Sequence, residues 1–259
     1  MASAILELKN LSREVTGRNG EPFVIFRGIN LSVRDGEFVS IVGPSGCGKT
    51  TMLRVINGLI PPSGGQIFVD GREQKGAGGD LLMGFVFQGA ALLPWRTSLN
   101  NVLLGLEGRG KSPAGARELA RKYLDLVGLS GFEQHYPHEL SGGMQQRVNL
   151  ARALAIEPKI LLMDEPFAAL DAQTRDLMQV ELLRIWQEAR KTVLFVTHQI
   201  DEAIYLSDRV IVMTKRPGRA KKIFAIDLPR PRDYEMRVTP EFNDLKLEIW
   251  HSLKDEITA

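Results

Sequence analysis

The stretch GPSGCGKTT at residues 43–51 sets glycines, a lysine and two threonines where a short apolar run gives way to a helical pattern. Polyphosphate binding needs this mixture. Glycines let backbone N–H groups converge on oxygen atoms, and a helix N-terminus adds its positive dipole end. The stretch matches the Walker A pattern, in which Lys49 neutralises the β- and γ-phosphates and the Thr50 hydroxyl binds Mg²⁺. A second stretch, ILLMDEP at residues 160–166, is an apolar run that ends in two carboxylates. At the end of a parallel strand, Asp164 can hold a Mg²⁺ shell while Glu165 orients or deprotonates water. An acidic pair after a strand is ordinarily a solvated turn, and its company with Walker A turns the reading toward catalysis.

The third stretch, LSGGMQQR at residues 140–147, looks like a second phosphate loop. Ser141 can cap a helix, and Gly142 and Gly143 let backbone approach an anion closely. A flexible helix entrance is the alternative, although glycine in a helical turn costs up to ~1 kcal/mol relative to alanine, which a binding demand explains better than folding does. Gln88, Asp171 and His198 are weaker signals one by one. They gain weight from their order and from their positions at strand ends on the presumed phosphate side of one sheet.

These residues need a frame of alternating strands and helices. Ile29, Leu31 and Val33 alternate as a strand does, Asp35-Gly36 turns, and residues 37–42 form the apolar run that reaches the first loop. Behind it, Met52, Leu53, Val55, Ile56 and Leu59 mark one helical face, stopped at Gly58. Strands are expected at residues 66–69, 83–87, 160–163, 192–196 and 209–213, with helices at 171–189 and 201–206. The alternation implies a largely parallel sheet. Between residues 87 and 160 the pattern is helical: Ser112-Pro113 opens one helix, Gly128 closes it, Ser141 caps the next and Pro158 bounds it. Residues from about 90 to 156 thus read as a helical subdomain inserted in a sheet domain. A last helix is expected from Thr239-Pro240, with Phe242, Leu245, Ile249, Trp250 and Leu253 near one face.

Composition narrows the partners. Of 259 residues, 33 are basic and 31 acidic, so the formal charge of +2 gives no field that argues for nucleic acid. The single cysteine, Cys47, excludes an internal disulfide and fits a reducing compartment. No apolar run approaches the ~18 residues of a membrane span, and MASAILELKN has no leader pattern, so any membrane role is expected to run through a partner.

In their order and spacing, GPSGCGKTT, Gln88, LSGGMQQR, ILLMDEP, ALD and THQIDEA resemble the ATP-binding cassette of ABC transporters, over residues from about 5 to 213. LSGGM sets that family apart from other P-loop ATPases. The resemblance implies an α/β fold: a P-loop NTPase (RecA-like) ABC ATPase core with an inserted α-helical subdomain and an N-terminal antiparallel β subdomain. Residues 1–235 would form the nucleotide-binding domain and 236–259 a short C-terminal helical tail. It implies ATP and Mg²⁺, and two cassettes paired head to tail, so that the second glycine loop serves the partner's nucleotide. The ATP-binding set is then Gly43, Pro44, Ser45, Gly46, Cys47, Gly48, Lys49, Thr50 and Thr51 on one side, with Ser141, Gly142, Gly143 and Asp171 on the other. Glu165 is implied as the base, His198 as a γ-phosphate contact, Gln88 as a sensor of metal and water, and Thr50, Gln88 and Asp164 as the metal set.

LLPWRTSLNNV, EPFAALDAQTR and LSDRVIVMTKRPGR resemble more narrowly the nitrate, sulfonate, taurine and bicarbonate branch of bacterial importers. That branch implies a cassette lying at the cytoplasmic face of the inner membrane, permease subunits as direct partners, and a periplasmic or lipid-anchored solute-binding protein as an indirect one. Ala168 stands where the branch commonly has glycine. Val15 stands where the family usually has an aromatic that stacks on adenine, leaving Phe23 or Phe26 as replacements. Soluble cassette ATPases of DNA repair or translation, and lipid-trafficking or export cassettes, are the competing classes; the first usually carries a coiled-coil insertion or two cassettes, and this chain has neither.

Overall fold

The computed structural model describes residues 4–17, 20–74, 83–189 and 191–258; the first three residues of the opening stretch lie outside these. Along the chain the elements are β1 (Ala4–Thr16), β2 (Pro22–Arg34), β3 (Phe38–Val42), α1 (Lys49–Ile56), β4 (Gly64–Val69), β5 (Arg72–Glu73), β6 (Met83–Val86), α2 (Ser98–Leu104), α3 (Pro113–Leu126), α4 (Gly142–Ala155), β7 (Ile160–Asp164), α5 (Ala172–Ala189), β8 (Thr192–Thr197), α6 (Ile200–Leu206), β9 (Arg209–Met213), β10 (Ala220–Ala225) and α7 (Pro240–Thr258). They form two compact units, one of residues 1–80 and 192–259 and one of residues 81–191.

In the first unit an antiparallel sheet runs β2-β1-β4-β5, with Leu8 opposite Leu31 and Val15 opposite Phe23. A second set of strands has β3 parallel to both β8 and β9, with β10 antiparallel on β9. Phe38, Val39, Ile41 and Val42 of β3 are all buried, as are Val193 to Val196 of β8. Such continuous apolar runs are what parallel strands covered on both faces require. The polar ends of these strands are tied down locally: Glu37, buried, accepts from the Arg34 amide at 2.8 Å and from Arg209 Nε at 2.6 Å.

α7 packs on α6, β9 and β10. Phe242, Ile249 and Leu253 are buried there, each contributing roughly 1.5–3 kcal/mol of apolar burial. The face is narrower than its periodicity predicts, for Trp250 is 45% exposed. Likewise α1 ends at Ile56, one turn before Leu59, which is 56% exposed; Gly58 at φ +78° ends the helical path ahead of it.

In the second unit β6 and β7 are parallel, with Gly84 opposite Leu161. A Cβ on Gly84 would lie 2.7 Å from the Ala153 carbonyl oxygen, so glycine lets α4 approach this strand. Ser112 Oγ accepts from the Gly115 amide at 3.2 Å, Pro113 takes the first helical position of α3, and Gly128 follows its end at φ +69°. These are the caps the sequence announces. Among the described residues, no helix is long and apolar enough to cross a membrane.

Candidate functional site: a nucleotide-binding cassette

In the first unit, β3 delivers the chain into the loop of residues 43–48. Gly46 and Gly48 sit at φ +76° and +105°, a left-handed backbone that favours glycine. A Cβ on Gly43 would lie 3.1 Å from both Cys47 Sγ and Met213 Cβ, so the loop closes against β9. Gly48 is the N-cap of α1 and makes no side-chain cap to the first amides of that helix. Lys49 is buried, and its Nζ donates to the Gly43 carbonyl at 2.7 Å and the Pro44 carbonyl at 3.1 Å. The ammonium is therefore held over the concave side of its own loop, where converging amides and one cation suit a polyphosphate. Cys47 is 1% exposed; burial pushes its thiol pKa up, which makes it a packing residue rather than a nucleophile. Ser45 is exposed on the loop, Thr50 and Thr51 are half-buried in the first turn of α1, and His198 is exposed just past β8.

In the second unit, β7 is buried along its whole length and ends at Asp164, which is 3% exposed. Glu165 follows at φ +43°. For a side chain of this size such a conformation costs of order 1–3 kcal/mol and gathers at functional positions. Within this unit Asp164 and Gln88 offer a carboxylate and an amide oxygen, donors of the kind that suits Mg²⁺, which keeps several waters and borrows phosphate oxygens. Among the described residues no cluster of three His, Cys, Asp or Glu side chains forms a metal cage.

The signature stretch opens α4. Ser141 Oγ accepts from the Met144 amide at 3.3 Å, leaving Ser141 and Gly142 exposed. Gly143 is buried, and a Cβ there would come within 2.9 Å of Thr174 Cγ2, while one on Gly142 would touch Leu170 at 3.7 Å. The two glycines thus serve different ends: the second admits α5, and the first stays open. Asp171 caps α5, accepting from the Thr174 amide at 3.0 Å, and the hydrogen bonds from Thr174 hold its carboxyl below the usual range. The signature and the ALD stretch are therefore brought together.

Gln88 is exposed immediately after β6, and the backbone around it is clamped by α4. The Phe87 carbonyl accepts from Gln146 Nε2 at 3.2 Å and Asn149 Nδ2 at 3.1 Å. Arg152 donates to the Ala90 and Ala91 carbonyls and to Asn149 Oδ1, each at 2.9 Å. On α2, Asn101 then braces residues 93–97, accepting from the Leu93 amide at 2.8 Å and donating to the carbonyls of Leu93, Arg96 and Thr97. Within the stretch that Asn101 braces, Trp95 stands 71% exposed. Sequence reading missed this brace. Its trace is the three-residue spacing of Gln146, Asn149 and Arg152, polar groups on one face of a helix otherwise buried.

With this geometry in view, the family model described as ABC transporter matches residues 26–168. The chain belongs to the ABC transporter family. It is an ATP-binding cassette ATPase. It is 54% identical to an uncharacterized ABC transporter ATP-binding protein of Methanocaldococcus jannaschii, across 97% of this chain and 92% of that one. It is 44% identical to a nitrate import ATP-binding protein of Synechocystis sp., across 98% and 96%. Among solved structures, a dimeric post-hydrolysis ATP-binding cassette bound to ADP and Pi superposes with a TM-score of 0.74 at 35% identity, across 86% of this cassette and 100% of that chain. Cassettes of this family bind ATP and work as dimers with membrane permeases.

Proposed function

We propose that this cassette energises import of a small anion, nitrate or a chemically related oxyanion, as one of a head-to-tail pair docked on permease subunits at the cytoplasmic face of the membrane. The observation that carries the solute class is the relation to a nitrate import ATP-binding protein over nearly the whole of both chains. The braced loop supports docking: an exposed Trp95 on a backbone already fixed by Asn101 and Arg152 loses little entropy when a partner covers it.

In this reading residues 1–235 form the nucleotide-binding domain, residues 90–156 its helical subdomain and 236–259 the tail. The backbone of residues 43–51 and the Lys49 ammonium bind the phosphates, and Ser141, Gly142 and Gly143 take the γ-phosphate presented by the partner. Thr50, Gln88 and Asp164 would hold Mg²⁺, which neutralises phosphate charge. Glu165 accepts the proton of the attacking water at its carboxylate, His198 contacts the γ-phosphate, and Asp171 links the two sites.

The test is copurification from host membranes in mild detergent, followed by ATPase assay of the reconstituted complex with nitrate, sulfonate, taurine or bicarbonate and the matching solute-binding protein. A multi-span permease together with anion-stimulated turnover is the expected outcome. A chain that brings no permease, or a complex stimulated by none of these anions, overturns it.

A further inference from the structure

The residues 214–219, after β9, are sewn to both β2 and the phosphate loop. The Gly218 amide donates to the Ile25 carbonyl, and the Gly218 carbonyl accepts from the Arg27 amide, both at 3.0 Å. A Cβ on Gly218 would fall 2.2 Å from the Cys47 carbonyl oxygen, so only glycine lets this segment pass so close to the loop. That contact fixes the residue two before it. Arg216 donates from Nε at 3.0 Å and from Nη2 at 2.5 Å to the carbonyl of Gly46, and its guanidinium lies over the ring of Phe23, 4.6 Å from the centroid. Arg216 and Phe23 are nonetheless exposed, Phe23 to 43%.

Neither structural economy nor solubility explains this arrangement. An exposed phenylalanine, paired across β1 and β2 with Val15, which is 36% exposed, adds apolar surface beside a polyphosphate loop. Phe26, the other aromatic of the segment, is fully buried and unable to meet a ligand. A guanidinium is planar, delocalised and weakly hydrated, so one of its faces can cover Phe23 while the other takes a second flat π-system. The double hydrogen bond to Gly46 fixes the plane beforehand. A nucleotide whose phosphates lie on residues 43–51 carries its base one ribose away from that loop.

We infer that Arg216, stacked on Phe23 and anchored to the phosphate loop through Gly46, is the platform on which the adenine of ATP stacks in this cassette, with Val15 as its apolar border. The inference rests on ATP binding at residues 43–51, and the test separates the two. Calorimetric titration of the full chain, with Mg²⁺ throughout, compares ATP with inorganic tripolyphosphate, which has the phosphates and no base. Both bind the unaltered chain; if tripolyphosphate and ATP both fail to bind, the phosphate site itself is wrong.

Arg216→Ala is expected to weaken ATP roughly tenfold or more, the scale of one lost base stack, while tripolyphosphate changes less than twofold. Arg216→Lys keeps the charge and a donor for the Gly46 carbonyl but not the plane, so it too should lose ATP selectively; Phe23→Ala should follow in the same direction, more weakly. Equal losses for ATP and tripolyphosphate would mean that Arg216 only shapes the loop, and full recovery in Arg216→Lys would mean that charge alone matters. Either result overturns the platform. Ligand-free melting curves of Arg216→Lys close to those of the unaltered chain keep the comparison valid should Arg216→Ala fold poorly.

Discussion

Replacing Arg152 with alanine tests whether α4 holds the loop that carries Gln88. Three hydrogen bonds of 2.9 Å leave with the guanidinium. Bonds to a charged group contribute about 1.5–3 kcal/mol each before offsets. Two offsets are visible. Burial lowers the Arg152 pKa, so its charge is held at a cost, and Ala91 is exposed, so water replaces the lost donor there. What water cannot readily reach is Asn149, 0% exposed, whose Oδ1 loses its arginine partner at roughly 1–3 kcal/mol for a buried acceptor left unsatisfied. The net expectation is about 1.5–3 kcal/mol, a fall in Tm of roughly 3–10 °C for a chain of this size. The decisive reading is local. Cleavage within residues 88–92 by a nonspecific protease should speed up about 10- to 150-fold, while cleavage within residues 93–97, held by Asn101, changes far less. Uniform acceleration through residues 88–97, or none, would refute the two-clamp account.

Other substitutions probe the remaining parts. Glu165→Gln should cut ATP turnover about 10²- to 10⁴-fold while ATP binding persists and nucleotide-bound dimers accumulate on size-exclusion chromatography; unchanged hydrolysis would remove Glu165 as the base. Gly143→Ala drives a Cβ to 2.9 Å from Thr174 Cγ2 and should cost about 1–3 kcal/mol in denaturant melts. Adding Thr174→Ser, which deletes that methyl and keeps the hydroxyl beside Asp171, should restore most of it; no coupling between the two changes would disprove the contact. The hydrogen bond from Lys221 Nζ, at 2.8 Å, holds the Glu256 carboxyl below its ordinary value of 4.5. A depressed carboxyl stabilises above its unfolded pKa and loses that contribution as pH falls through the folded one. Glu256→Gln should therefore lower stability by under about 1 kcal/mol at neutral pH, with the difference from the unaltered chain fading below about pH 4.5; a gap that widens on acidification would reverse the assignment.

The sequence by itself determined the elements and the local chemistry, because both are set over a few residues. Apolar runs fix β3, β7 and β8, since a strand buried on both faces needs no alternation, and Ser112, Ser141, Gly58 and Gly128 mark helix ends through bonds to their own neighbours. The glycine loop before Lys49, the carboxylates after β7 and the signature at α4 are equally local, and this is why family membership is legible from residues alone. Tertiary structure decided what depends on residues far apart in the chain. Nothing local says that Phe26 is buried and Phe23 exposed, that Arg216 reaches back 170 positions to Gly46, or that Gly143 is small for the sake of Thr174. The buried faces of α1 and α7 stop short of Leu59 and Trp250 for the same reason: periodicity gives the direction of a side chain, and only the packed neighbour decides whether anything covers it.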